Sequence, residues 1–138
     1  MTAYKSTKRT NLDPARKTEG ECSFYGEVTL SAAAADDDTL EFFDVPKGFV
    51  VHGAEISSTD LDTGANSIAL DVGISGDTNK IFADSAVAQA GTFSNAMNKD
   101  AHLYEFTAKS TVYATVKTVG TGATGTVKLS LHGTFSKN

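Results

Sequence analysis

Three histidines are the side chains of this sequence best suited to proton transfer or metal binding near neutral pH. They are His52, His102 and His132, and no two of them have the i, i+2 or i+4 spacing at which neighbouring histidines share a metal ion. His52 and His132 fall in predicted strands, so folding could bring them together around one metal. Isolated histidines in strands are more typical of a sheet surface or an interface, and we therefore expect no metal site.

Other motifs that could carry chemistry are incomplete. Residues 60–66 (DLDTGAN) resemble the start of a calcium loop, but they lack its late glutamate and flanking helices, so we interpret them as a turn. The sequence has no G-x-S-x-G elbow, phosphate loop or H-E-x-x-H motif. A glycosidase with paired carboxylates stays open in so acidic a chain, although there is no tryptophan to form a sugar platform. We predict a protein that is not an enzyme and uses no cofactor.

Alternating apolar and polar residues indicate strands at 49–58 (FVVHGAEISS) and 67–74 (SIALDVGI). Further strands are predicted at 22–30, 40–45, 103–106, 111–119 and 126–135, separated by turns rich in glycine and aspartate. We expect an exposed loop at 31–39 (SAAAADDDT) and a long excursion with a helical turn at 81–97. A single sheet would leave its apolar face uncovered. The predicted fold is therefore an all-β, antiparallel β-sandwich, jelly-roll-like, with about eight strands.

The formal net charge of −5 is unevenly distributed. Residues 1–17 hold five basic residues and one acidic residue, whereas residues 18–138 hold seven basic and sixteen acidic residues. Few apolar side chains lie near the start, so we expect residues 1–20 to form a flexible basic N-terminal arm and residues 21–138 to form a single β-sandwich domain. An arm that only aids solubility is the alternative. The candidate partner-binding residues are Lys5, Lys8, Arg9, Arg16 and Lys17.

Composition also limits the setting in which the protein works. An acidic body repels nucleic acid, so we expect no direct nucleic-acid binding. No apolar run of about 18 residues and no leader peptide is evident, which predicts no membrane association. Cys22 is the one cysteine and cannot form an intrachain disulfide, and we expect synthesis in a reducing cytoplasm.

The block at 46–82 (PKGFVVHGAEISSTDLDTGANSIALDVGISGDTNKIF) carries a resemblance to a known class. A turn with proline and glycine leads into an apolar strand, and the segment LDVGISGD at 70–77 precedes Phe82. This pattern resembles small structural proteins of tailed-bacteriophage virions, including capsid decoration (cement) proteins. The resemblance implies a β-sandwich or jelly roll that assembles as a homo-oligomer, with a trimer favoured. It also implies attachment to the major capsid protein on the capsid surface, after synthesis in the bacterial host cytoplasm.

Two further hypotheses stay open at this point. The chain could be another minor virion component, such as a head-to-tail connector, a tail protein or a fibre protein. It could instead be a carbohydrate-binding module for host adhesion, in which exposed aromatic rings stack on sugars. Those rings are more simply core or interface residues. The candidate platforms are Tyr25, Phe43, Tyr104 and Tyr113.

Overall fold

Two five-stranded sheets pack face to face and bury their alternating apolar side chains between them, which confirms the all-β, jelly-roll-like sandwich. The computed structural model describes residues 3–6, 8–9, 21–61, 67–117 and 123–135. The strands are β1 (Ala3–Lys5), β2 (Lys8–Arg9), β3 (Glu21–Ala34), β4 (Thr39–Val45), β5 (Phe49–Ser58), β6 (Ala69–Ile74), β7 (Asp77–Ser85), β8 (Phe93–Ser94), β9 (Ser110–Lys117) and β10 (Ala123–Phe135). Helix α1 (Val87–Ala90) and a 3-10 helix (Lys99–Ala101) lie between β7 and β9.

The strand order is β1-β4-β9-β6-β7 in sheet A and β2-β3-β10-β5-β8 in sheet B. Neighbouring strands pair antiparallel except β1 and β4, which run parallel. The long central ladders join β10 to both β3 and β5. No helix among the described residues has the length and apolar character that crossing a membrane requires.

Three segments differ from the expectations. The predicted loop at 31–39 is shorter, because β3 continues to Ala34, which pairs with Ala123 of β10. The predicted excursion at 81–97 contains the expected helical turn, α1, but it also contains the end of β7 and the short strand β8. The predicted strand at 103–106 is instead a turn region with one isolated bridge, between Glu105 and Val50.

Phenylalanines dominate the centre of the sandwich. Phe49 contacts three other rings, with centroids at 5.0 Å from Phe24, 5.4 Å from Phe135 and 6.3 Å from Phe106. The edge-on pairs with Phe24 and Phe135 are of a kind that contributes about 0.5–1.5 kcal/mol each beyond the area buried. Cys22 is half-buried against the same core, and burial raises the pKa of its thiol, which disfavours the reactive thiolate. The core therefore holds the two sheets at a fixed distance and orientation.

The far edge of sheet A is partly covered. Strand β7 lies at this edge, and the backbone N–H of Asn98 donates a 2.7 Å hydrogen bond to the carbonyl of Ile81. The side-chain amide of Asn98 donates at 3.3 Å to the carbonyl of Asn79. Covering an edge strand in this way hinders the addition of a further strand from another molecule.

A close approach of β10 and β5 requires glycine at position 133. The register of the two strands shifts between His132 and Gly133, and a Cβ at Gly133 would overlap the carbonyl oxygen of Val50. Neither backbone can move without breaking ladder hydrogen bonds. We expect Gly133→Ala to lower the free energy of unfolding by about 2–3 kcal/mol, measured by urea denaturation.

Gly53 provides a matched control on the neighbouring strand. A Cβ at Gly53 would lie 2.5 Å from Cε1 of His132, which belongs to a partly exposed side chain rather than to the backbone. Because that ring can rotate away and lose only its half-exposed hydrogen bond to Glu55, Gly53→Ala should cost about 1 kcal/mol, less than Gly133→Ala. Equal losses for the two variants would contradict the assignment of the clash at Gly133 to the backbone.

Candidate partner-binding surface and histidine groove

The described part of the N-terminal segment lies along one edge of both sheets. Strand β1 pairs with β4 in sheet A, and β2 pairs with β3 in sheet B. The chain passes from sheet A to sheet B near Ser6, which bonds to a strand of each sheet. The N–H of Ser6 donates to the carbonyl of Glu41 on β4 at 2.8 Å, and its hydroxyl donates to the carbonyl of Glu27 on β3 at 2.8 Å. The same hydroxyl accepts from the N–H of Glu27 at 3.0 Å. Edge strands offer backbone partners to any sequence, so even a segment poor in apolar residues can pair here.

The flexible arm over residues 1–20 remains a prediction, although its described part contains β1 and β2. Tyr4 packs against the core, so the start of the segment also contributes some apolar contact. The boundary at residue 20 between arm and domain, and the flexibility of residues 10–20, remain predictions, because those residues lie outside the described part of the chain.

The predicted partner-binding residues are only partly brought together. Lys5 is exposed in β1, and the backbone of Lys8 and Arg9 forms β2 at the adjoining edge of sheet B. Arg16 and Lys17 lie outside the described residues. Three of the five basic positions therefore follow one edge of the sandwich, where they could face a partner. Their role in binding remains a prediction.

The three histidines, distant in sequence, line one groove of about 510 Å³ on sheet B and the adjoining turn region. His132 Nε2 lies 2.8 Å from Glu55 Oε2, and the hydroxyl of Ser130 donates at 2.7 Å to Glu55 Oε1. His52 Nε2 lies 3.2 Å from the hydroxyl of Thr134. Burial acts to raise the pKa of Glu55, but the bonds from Ser130 and His132 outweigh it and hold that pKa below its ordinary value. His132 and Glu55 thus form a half-buried polar pair.

The groove does not assemble a metal centre. His52 and His132 lie on the adjacent strands β5 and β10, but each has its own side-chain partner. Within the described ranges, no group of three or more His, Cys, Asp or Glu side chains is placed to hold a metal ion. Of the calcium-like segment, only Asp60 and Leu61 fall in the described part, and positions 62–66 lie outside it.

The four candidate sugar platforms have different surroundings. Tyr25 is 56% exposed, whereas Phe43 is wholly buried, which agrees with a core residue and excludes it as a platform. A register shift between Glu41 and Phe43 turns consecutive phenylalanines of β4 inward, which strict alternation would not do. Tyr104 is half-buried against Phe106, with Lys80 Nζ 4.4 Å from its ring centroid, and Tyr113 is half-buried in β9. Of these four, Tyr25 has the most accessible ring.

Comparison with known proteins indicates a virion component. No protein-family model and no curated protein matches the chain. A chain of the cyanophage Pam1 capsid asymmetric unit is 30% identical, with a TM-score of 0.77 over 92% of this chain and 94% of that one. A chain of the capsid of Ralstonia phage GP4 is 26% identical, with a TM-score of 0.76 over 99% of this chain and 100% of that one.

A more distant neighbour extends the fold comparison. A chain of the acidic stable capsid structure of Helicobacter pylori bacteriophage KHP30 is 15% identical, with a TM-score of 0.55 over 86% of this chain and 95% of that one. At this identity the likeness shows the fold alone.

The sandwich and the capsid matches together define the class of the molecule as a structural protein of a virus particle. The chain belongs to the structural proteins of bacteriophage virions, which confirms the resemblance carried by residues 46–82.

Proposed function

We propose that this protein is a capsid decoration (cement) protein that binds the outer surface of an icosahedral phage head and stabilises it. The observation that carries the proposal is the end-to-end match to chains of two phage capsids, at 30% and 26% identity. The match covers nearly the whole of each chain, so the similar capsid chains are small sandwiches like this one rather than larger proteins that contain one.

The surface of the molecule suits attachment to a larger assembly. The basic positions at the β1 and β2 edge oppose the acidic character of the rest of the chain and can pair with carboxylates of a partner. We propose the major capsid protein as that partner, together with neighbouring copies of this chain in a homo-oligomer, with a trimer favoured. Repeated weak contacts would then act together, since linked sites raise the effective concentration of one another.

This role is one of binding alone. In the proposal the protein catalyses no reaction, requires no cofactor, and contacts neither membrane nor nucleic acid directly. It is made in the bacterial host cytoplasm and ends on the capsid surface of the virion. Apolar and polar contacts repeated over many identical positions would help the shell to resist the pressure of packaged DNA.

The number of copies in each particle tests this function. We expect purified virions to contain hundreds of copies, and cryo-electron microscopy to locate them on the outside of the shell. Particles produced without the protein should recover that density when purified protein is added. They should then release their DNA at a higher temperature than the same particles without added protein. About a dozen copies or fewer at one vertex would contradict decoration and would identify a connector, tail or fibre component.

A further inference from the structure

A second groove lies on the outer surface of sheet B, between two exposed aromatic rings. Phe93 is 62% exposed and Tyr25 is 56% exposed, and among the described residues Leu103 is the one other large apolar side chain with such exposure. The groove between the two rings has a volume of about 220 Å³. Aromatic rings beside a depression that also holds polar groups are features of ligand-binding sites.

The strand register fixes the arrangement of this groove. Tyr25 on β3 stands opposite Ser130 on β10, which stands opposite Glu55 on β5. In the next row, Lys128 on β10 stands opposite Ser57 on β5, and Ser57 stands opposite Phe93 on β8. The strands that carry the two rings are thus three strand spacings apart, about 14 Å, with β10 and β5 as the floor.

Polar groups of several kinds converge between the rings. The lining includes the carboxylates of Glu27 and Glu55, the ammonium group of Lys128, and the hydroxyls of Ser57 and Ser130. The carboxylate of Glu55 is already oriented by Ser130 at 2.7 Å and His132 at 2.8 Å. A carboxylate held in this way can accept hydrogen bonds from ligand hydroxyls with little further loss of side-chain conformational entropy.

The floor argues against a peptide strand as the occupant. Both floor strands already pair with a neighbour on each side, β10 with β3 and β5, and β5 with β10 and β8. Their backbone groups are therefore engaged in ladders and cannot take a further strand. The volume is also below the about 300–1,000 Å³ typical of pockets for drug-sized ligands. A compact ligand with an apolar face and several hydroxyls fits these constraints.

We infer that this groove binds the pyranose ring of a neutral glycan, with a ring of Tyr25 or Phe93 against the C–H face of the sugar and with Glu27, Glu55 and Lys128 bonding its hydroxyls. Two carboxylates against one ammonium group disfavour anionic sugars. Phe93 lies on β8, at the opposite edge of sheet B from the basic strand β2. Tyr25 and Glu27 lie on β3, which pairs with β2, so the groove extends toward the basic edge. Sugar binding goes beyond the proposed capsid attachment, and the two are distinguishable because sugar binding is measured on the isolated protein.

Nuclear magnetic resonance titration of the isolated, ¹⁵N-labelled protein tests the inference. The probes are methyl β-D-glucopyranoside, methyl β-D-galactopyranoside, methyl α-D-mannopyranoside and N-acetylglucosamine, with N-acetylneuraminic acid as the anionic comparison. We expect at least one neutral sugar to shift the amide signals of Lys128 and of either Tyr25 or Phe93 with a Kd of about 1–10 mM, and the anionic sugar to bind at least about tenfold more weakly.

Matched variants separate stacking from general surface effects. Tyr25→Ala or Phe93→Ala, whichever removes the ring that stacks on the sugar, should weaken the affinity by about tenfold, whereas Leu103→Ala, which removes an equally exposed apolar side chain outside the groove, should leave it unchanged. The absence of shifts from every neutral sugar at about 50 mM, or shifts that survive both aromatic substitutions, would overturn the inference. Protection of the groove from hydrogen exchange on capsid particles alone, without sugar binding, would also overturn it and would assign the groove to the capsid contact.

Discussion

Removal of residues 1–17 should reduce binding to capsid particles by about 100-fold or more while the sandwich stays folded. The deletion eliminates five basic side chains, each of which could contribute a few tenths of a kcal/mol to about 1 kcal/mol against an acidic partner. The buried core comes from residues 24–131, so the body retains its fold. Occupancy on particles that lack the native protein, measured by sedimentation and gel densitometry, gives the result directly.

The deletion also removes β1, β2 and the hydrogen bonds of Ser6, so charge must be tested separately from backbone pairing. A variant that keeps the segment but neutralises its charges should bind almost as poorly as the deletion and should show little further dependence on salt. Unchanged occupancy of this variant would refute the electrostatic role of the arm. The substitutions are Lys5→Gln, Lys8→Gln, Arg9→Gln, Arg16→Gln and Lys17→Gln.

Exposed lysines on the body supply the matched control. Neutralising three of them changes the net charge as much as neutralising the three basic residues of β1 and β2. Capsid binding should fall for the triple variant of Lys5, Lys8 and Arg9 and persist for the body variant. The reason is that the position of the charges, rather than the net charge of the chain, determines which groups of the partner they contact. Equal losses would show that net charge alone controls attachment. The body substitutions are Lys47→Gln, Lys99→Gln and Lys109→Gln.

Strict alternation made the central strands predictable. Ile68, Leu70 and Val72 are buried as expected, since one face of each strand meets the opposite sheet. Alternation fails at irregularities. Asp71 lies on the predicted polar face but is buried, because Lys117 Nζ at 3.3 Å and the N–H of Asp84 at 2.8 Å satisfy its carboxylate. Such compensation depends on strands that are distant in sequence.

The grooves on sheet B were less accessible to sequence reasoning. The meeting of His102 with His52 and His132 depends on the path of the turns between β8 and β9, which carries no periodic signal. Phe93 was overlooked because its segment lacks clear alternation, although an aromatic residue among small polar ones (GTFSN, 91–95) is a usable hint. The ring's exposure becomes evident only once β8 is paired to β5. Tyr25, in contrast, could be assigned to the outer face directly from its strand.

Replacing Phe49 with alanine should lower the free energy of unfolding by about 3–5 kcal/mol. Phe49 is fully buried at the centre of the aromatic cluster, where its ring contacts Phe24, Phe106 and Phe135. Its carbonyl also accepts a 2.8 Å hydrogen bond from the N–H of Phe106, which fixes the turn region against β5. Alanine keeps that backbone bond but leaves a cavity between the sheets. This decrease is a large share of the free energy of unfolding of a typical domain, which is about 5–15 kcal/mol.

Phe93→Ala is the matched control, because it makes the same chemical change at a ring that is 62% exposed. Its cost should stay within about 0.5 kcal/mol, since no core contact is lost. Urea denaturation followed by circular dichroism measures both variants, at one protein concentration because assembly would add its own stability. Closely similar unfolding midpoints for Phe49→Ala and Phe93→Ala would contradict the central position of Phe49. A large loss at Phe49 alone would show that the aromatic cluster, rather than the surface of sheet B, holds the two sheets together.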